Sequence, residues 1–555
     1  MTGPCSFSWH LLPLVVLLLP FRLAAQVPAD SAGAPADSAG ALADSARADT
    51  LPRSDTLRAV ELDRRDIFDP DERGWIARVA NALHIQTRPA TIRRELLFQP
   101  GQPFDSARVA ESERNLRALG VFRRVKIDTV RTDSGLVARV LTKDGWSTKA
   151  DWRFRSTGGQ VEYTIGLVED NLLGTASSAA VRYRKTPDRT SVTLGLRRPR
   201  LIAGTVGVAG LYENRSDGRV TQLAAEQPFY SLTSRFGFRV EGDDRDERVL
   251  QFFNGSNVAR DTLTHRYTLA RASAAWASQA SMEGFLRWGL EAQVRREDFR
   301  PEGSTAPFGK TVTGAVGPYL VWSRANFLVA HGVSGFAREE DVDLGLTVRV
   351  GLLGAPKAFG YDRDGIGPNL AARAGARVPG GFGYLEALIG GLYDSAGLDS
   401  GTVQIAGTAV LQPGPHQVGI LHLEGGWLKD PAPGTEFDLG LGYGPRAFRS
   451  HAFTGDRSYF GTAEYRYTIV DDFLGQLGLG VAGFVDHGGA WYSGQPTRSG
   501  WDVGVGLRLG ASRSTDTESL RFDLARRFAN DAQKAGWVVT VGKGFVFSPV
   551  GRRPL

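Results

Sequence analysis

The chain has 555 residues, a formal net charge of +6, 68 glycines and 10% aromatic residues. That length exceeds one ordinary domain unless it builds a large barrel, and its basic residues are interleaved with acids rather than clustered, which argues against a nucleic-acid surface. No run of eighteen apolar residues occurs, which argues against membrane-spanning helices. A transmembrane β-barrel, with half of its strand residues facing lipid, has this bulk composition.

Residues 1–25 read as a secretory signal. The apolar stretch Leu11–Leu19 is too short to span a bilayer and is followed by Arg22-Leu23-Ala24-Ala25, a small-residue cleavage site. The single cysteine, Cys5, precedes that stretch, so removal of the signal leaves neither a disulfide nor a thiol. Residues 26–73 repeat Ala29-Asp30-Ser31, Ala36-Asp37-Ser38 and Ala43-Asp44-Ser45. With so little apolar surface to bury, this segment reads as a disordered tether.

Residues 74–146 change character. His84–Thr87 is expected as a short strand and Ala90–Phe98 as a short helix ended by Pro100-Gly101. Asp105 is placed to cap a second helix that shows Val109, Ser112, Leu116 and Leu119 on one face and stops at Gly120. Phe122, Val125 and Ile127 mark a strand, and Val137–Leu141 another after the turn Asp133-Ser134-Gly135. The expected order is β-α-α-β-β.

From 147 to 547 the chain alternates apolar and polar residues in segment after segment. Leu286, Trp288, Leu290, Ala292 and Val294 alternate with Arg287, Gly289, Glu291, Gln293 and Arg295. Val503, Val505, Leu507 and Leu509 alternate with Asp502, Gly504, Gly506 and Arg508. At about 25 residues per strand and connection, the region predicts an antiparallel barrel of about 16 strands, closed so that every backbone group is satisfied in lipid. Residues 548–555 are a C-terminal tail.

Three charged residues stand out within the barrel region. Glu464 and Asp486 fall on inward positions of successive segments, and Arg446 lies in the turn before them. A guanidinium clamped by carboxylates suits a lumen where water is limited. Other motifs carry less. Gly478–Gly483 matches G-x-G-x-x-G by letters, but a strand follows it instead of the helix that a dinucleotide site needs. Asp243–Glu247 and Glu339–Asp341 read as solvated loops, the histidines lack metal spacing, and no G-x-S-x-G turn is present.

The trio, with its flanking residues, resembles the BamA/TamA family of outer-membrane protein assembly barrels. Pro445-Arg446-Ala447-Phe448 stands where that family has Val/Ile-Arg-Gly-Phe/Tyr, Phe484-Val485-Asp486-His487-Gly488 matches closely, and Glu169–Thr175 is similar to the early-barrel hairpin. Residues Thr91–Phe98, Pro100-Gly101 and Asn115–Phe122 resemble a single POTRA domain, and the last strand, with Phe545 and Phe547, resembles a C-terminal targeting strand. The resemblance implies a lumen loop lock built of Arg446, Ala447, Phe448, Glu464 and Asp486, with Phe484 and Gly488 in the barrel strand motif. It implies an outer-membrane location with the POTRA-like domain in the periplasm. It also implies non-covalent insertion or translocation of unfolded outer-membrane or secreted clients, contact with outer-membrane lipid, and periplasmic chaperones or lipoproteins as helpers. No catalysis, cofactor, metal or nucleic acid is expected. The alternative is a solute-conducting pore gated by the Arg446 loop.

Overall fold

The computed structural model describes residues 56–547, apart from 70–77, 80, 83, 134, 158–159, 254, 257, 303–307, 337–338, 442, 475, 513–517, 531–532 and 546. The expected signal, most of the expected tether and the tail 548–555 lie outside the described residues.

Among the described residues the small domain contains a three-stranded sheet and the helices that pack on it: β1 (Leu57–Arg65), α1 (Pro89–Arg93), α2 (Ser106–Ala118), β2 (Phe122–Thr132) and β3 (Gly135–Asp144). The sheet order is β1-β3-β2, with β3 parallel to β1 and antiparallel to β2. Leu57, Ile92, Leu116, Val121, Val125 and Val140 form its buried interior. Asp105 caps α2 by accepting from the Ala107 and Arg108 amides, and Gly120 takes the left-handed φ of 74° that ends it.

Two expectations are corrected here. The first strand is not His84–Thr87 but Leu57–Arg65, inside the segment read as tether. Its five charged residues mask the pattern in sequence, and pairing with β3 supplies the order that composition does not. His84–Thr87 is held by one buried carboxylate instead of a ladder. Asp144 Oδ2 lies 2.9 Å from His84 Nε2 and accepts from the Thr87 amide at 2.7 Å and the Thr87 hydroxyl at 3.0 Å. The first helix also stops early, at Arg93.

The rest of the described chain is a closed antiparallel barrel of 20 strands, not about 16. It runs from Thr148–Thr157 to Gly536–Lys543, and tight hairpins such as Val378 to Gly381 and Asp394 to Gly397 reduce each strand and connection to about 20 residues. The even count brings the last strand back to the end where the small domain enters. Asp243–Glu247, expected in a loop, lies within the strand Phe236–Gln251.

The barrel is inverted relative to a soluble one. Ile165, Leu194, Trp288, Leu290, Leu385, Leu423, Val505 and Trp537 are exposed on its outside, whereas Arg287, Glu386, Glu464, Asp486, Arg508 and Asp523 are buried within. The outside of the barrel is thus an apolar belt and its lumen is charged. Closure is uneven. The last two strands share eight register pairs, from Leu520↔Lys543 to Arg527↔Gly536. The last and first strands share two, Thr540↔Arg155 and Val541↔Phe154.

Two connections are more than turns. At the small-domain end, Phe327–His331 pairs with Glu339–Asp343 as a separate hairpin. At the far end, residues 430–456 form a long loop with its own short pair, Phe437–Leu439 and Phe453–Gly455.

Candidate functional site: a loop locked into the lumen

The long loop folds into the barrel and carries Arg446 to the inner wall. Arg446 Nε donates to Asp486 Oδ2 at 2.7 Å and Nη2 to Asp486 Oδ1 at 3.1 Å, a bidentate clamp. Nη1 reaches Glu464 at 3.1 Å and Asp523 at 3.2 Å. The guanidinium lies 3.5 Å from the centroid of the Phe484 ring, so its face is covered as well as its edge. Arg446 is 5% exposed and Asp486 0%, which makes this an ion pair withdrawn from water rather than a surface pair. The structure thus brings together the arginine, both carboxylates and the phenylalanine singled out in sequence.

Ala447 fits without the expected glycine. It is fully buried, its amide donates to Asp502 Oδ2 at 3.0 Å, and its carbonyl accepts from Arg527 Nη1 at 2.8 Å. Among the described residues the left-handed positions of this loop fall elsewhere, at Asp430, Gly434, Gly440, Gly444 and His451, so a Cβ at 447 meets no backbone penalty. Phe448 packs against Phe453, with ring centroids 5.1 Å apart, in the main apolar cluster. Wall glycines make the space: a Cβ on Gly500 would overlap the Phe448 ring, one on Gly504 the Phe484 ring, and one on Gly488 would crowd Phe460.

Most of the charge network was not singled out in sequence. Arg466 and Arg508 also hold Glu464, at 2.6 and 2.9 Å, while Arg508 and Arg521 hold Asp523, at 2.6 and 3.0 Å. Asp502 faces Asp486 directly across the ladder. Alternation already placed Asp502 and Arg508 on the polar face. What it lacked was the ordering of strands around the barrel, which brings every second residue of four strands to one patch.

The rim of the loop is tied down separately. His451 is bracketed by Asp438 at 2.6 Å and Asp188 at 3.0 Å and stacks on Phe252 with centroids 3.4 Å apart. Burial alone would lower its pKa, but the two carboxylates prevail and raise it to about 9. Glu436 is raised as well, by burial, which pushes it up to about 7 despite hydrogen bonds from Tyr492 and the Phe252 amide. These groups border a polar cavity of about 530 Å³ that also touches Arg155, Glu162, Arg184 and Arg215.

Phe545 and Phe547 correct a further expectation. The last strand ends at Lys543, and the chain turns inward. Phe547 stacks on the fully buried His422 with centroids 3.8 Å apart, and Arg466 lies 4.5 Å from the Phe545 ring centroid. These aromatics fill the lumen instead of closing a terminal strand. Among the described residues no group of three or more His, Cys, Asp or Glu side chains is arranged to hold a metal.

The small domain is joined to the barrel through the motif at 169–175. Asn171 Nδ2 donates to Thr87 Oγ1 at 2.9 Å, and the Gly174 carbonyl accepts from the Arg88 amide at 2.9 Å and Thr91 Oγ1 at 3.1 Å. On the other flank Glu95 grips Arg200 at 2.6 Å.

Residues 84–142 match the family model of the POTRA domain, described as surface antigen variable number repeat. Among solved structures, BamA from Haemophilus ducreyi lacking POTRA domains 1–3 is similar at 12% identity, covering 89% of this chain and 85% of that one, with a TM-score of 0.39. CdiB from Escherichia coli is similar at 11% identity over 89% of this chain and 77% of that one, TM-score 0.47. CdiB from Acinetobacter baumannii gives 12%, 89%, 74% and 0.43. No curated protein matches the sequence. The chain thus carries a POTRA domain ahead of a closed barrel that holds an arginine-locked loop.

Proposed function

We propose that this protein inserts or translocates client proteins at a Gram-negative outer membrane, by non-covalent templating, with its POTRA domain in the periplasm. The observation that carries this reading is the seam. Among the described residues, Val538 and Val539 of the last strand have no register partner on the first strand. A sheet edge of this kind captures an extended chain through its backbone groups. In lipid the drive is stronger, because an unsatisfied peptide group costs several kcal/mol. A client strand entering here would complete the ladder and leave sideways into the bilayer. The POTRA domain leads through Asp144 directly into the first strand of the seam, which favours delivery of the client to that edge. Outer-membrane lipid is then the second partner, met by the apolar belt.

The reading needs no covalent step, metal or nucleotide. A lumen occupied by the locked loop, the hairpin and Phe547 speaks against the alternative of a solute pore. The test is a reversible lock on the seam. Thr540→Cys with Arg155→Cys joins register partners across it. In cells relying on this variant, client assembly should stop under oxidising conditions and resume on reduction. Undiminished assembly with the seam fully cross-linked would refute the proposal.

A further inference from the structure

The hairpin Phe327–His331/Glu339–Asp343 leaves the barrel wall at the POTRA end, and its tip turns into the lumen. Phe336 sits over three inward-facing glycines of the wall. A Cβ on Gly478 or Gly510 would overlap its ring, and one on Gly480 would touch it at 3.5 Å. Three glycines on two adjacent strands form a slot that the aromatic ring fills. Val333 and Leu344 are buried in the same apolar cluster as Phe448 and Phe453 of the locked loop. The Val333 carbonyl accepts from Arg466 Nη1 at 3.3 Å, and the Ser334 carbonyl accepts from the Ser519 amide at 3.1 Å.

The other flank of the hairpin is gripped from outside the barrel. Arg117 on α2 donates to Asp341 through Nε at 2.7 Å and Nη2 at 2.9 Å, with both side chains less than a fifth exposed. Arg114, three residues earlier, lies 4.2 Å from the Phe327 ring centroid. A two-stranded hairpin of five-residue strands is marginal by itself, so its position depends on these anchors.

We propose that this hairpin is an autoinhibitory plug, in which Phe336 closes the periplasmic end of the lumen and α2 of the POTRA domain holds it shut through Arg117 and Asp341. Displacement of α2, as when a client engages the domain, removes the outer anchor and frees the tip. Because Arg466 touches the tip and holds Glu464, a partner of Arg446, withdrawal also loosens one corner of the loop lock.

The test uses the full chain in detergent micelles, with Cys5→Ser and a reporter thiol from Ser519→Cys. Ser519 is 3% exposed beneath the hairpin tip, so a maleimide reaches it only after withdrawal. Labelling should be slow in this parent, about tenfold faster with Arg117→Ala or Phe336→Ala, and slow again in the charge swap Arg117→Asp with Asp341→Arg, the factor expected from loss of one charge-assisted pair. Heat-modifiable gel mobility confirms a folded barrel, and Asp341→Asn reads the same contact should Arg117→Ala not fold. A parental rate in both single variants overturns the plug. Acceleration by Phe336→Ala alone, or an unrestored charge swap, overturns the POTRA grip. The readout involves no client, so its failure is distinct from failure of the assembly function.

Discussion

Replacing Arg446 by alanine isolates the lock. The loss falls chiefly on Asp486. Glu464 retains Arg466 and Arg508, and Asp523 retains Arg508 and Arg521. Asp486 retains the Thr462 hydroxyl at 2.6 Å and faces Asp502 across the ladder while fully buried. Stripping one partner from a buried pair costs about 3–5 kcal/mol. Since about 1.4 kcal/mol is a factor of ten, the ratio of seated to unseated loop should fall by roughly two to four orders of magnitude. The barrel itself should survive, because its ladders do not involve residue 446. Arg446→Lys keeps the charge but cannot clamp two oxygens in one plane, and should lose about 1–2 kcal/mol. Hydrogen exchange followed by mass spectrometry on the peptide 440–455 reads seating directly. The alanine variant should lose protection there while the strand Leu477–Trp491 keeps it, with lysine between. Wild-type protection in the alanine variant would refute the reasoning and assign the seat to Phe448 and Phe453.

Three further outcomes follow from the geometry. His451, raised to about 9 between Asp188 and Asp438, stabilises the docked loop fully below its ordinary value of about 6.5 and loses that contribution as pH rises through 9. Glu436, raised to about 7, has the same sign over a lower window. Loop protection, corrected for intrinsic exchange, should thus decline from about pH 5 to pH 10, and His451→Gln should remove the upper step; a flat profile in the wild type would contradict it. Gly500→Val should drive Phe448 from its place at a cost of about 1–3 kcal/mol, read as loss of loop protection with unchanged heat-modifiable mobility. Asp144→Ala removes the acceptor shared by His84 and Thr87 and should cost about 2–4 kcal/mol locally, seen as faster exchange of residues 84–91; unaltered exchange there would argue that the barrel contacts hold the segment.

Much of this arrangement is legible in the sequence, for identifiable reasons. A period of two survives in strands such as Gly284–Pro301 because one side is the apolar outside of the barrel and the other a charged lumen, so Trp288 and Arg287 point oppositely. Arg446, Glu464 and Asp486 are legible because charge at inward positions needs partners. Strand number was not, because it depends on hairpin tightness rather than on alternation. Leu57–Arg65 was hidden for a related reason: its order comes from Leu136–Lys143, more than seventy residues away. The inward turn after Lys543 was equally out of reach, since Phe547 has the same letter whether it faces lipid or stacks on His422. Asp502, Arg508 and Asp523 required the neighbour relations of the closed barrel.

The central claim is that this barrel assembles other proteins at the outer membrane. Depleting it in its native host and quantifying the outer-membrane proteome tests that claim most directly. The account predicts selective loss of client proteins, many for a general role or a few for a dedicated one, each restored by the wild-type chain and not by the oxidised seam-locked variant. An outer-membrane proteome unchanged by complete depletion would contradict it.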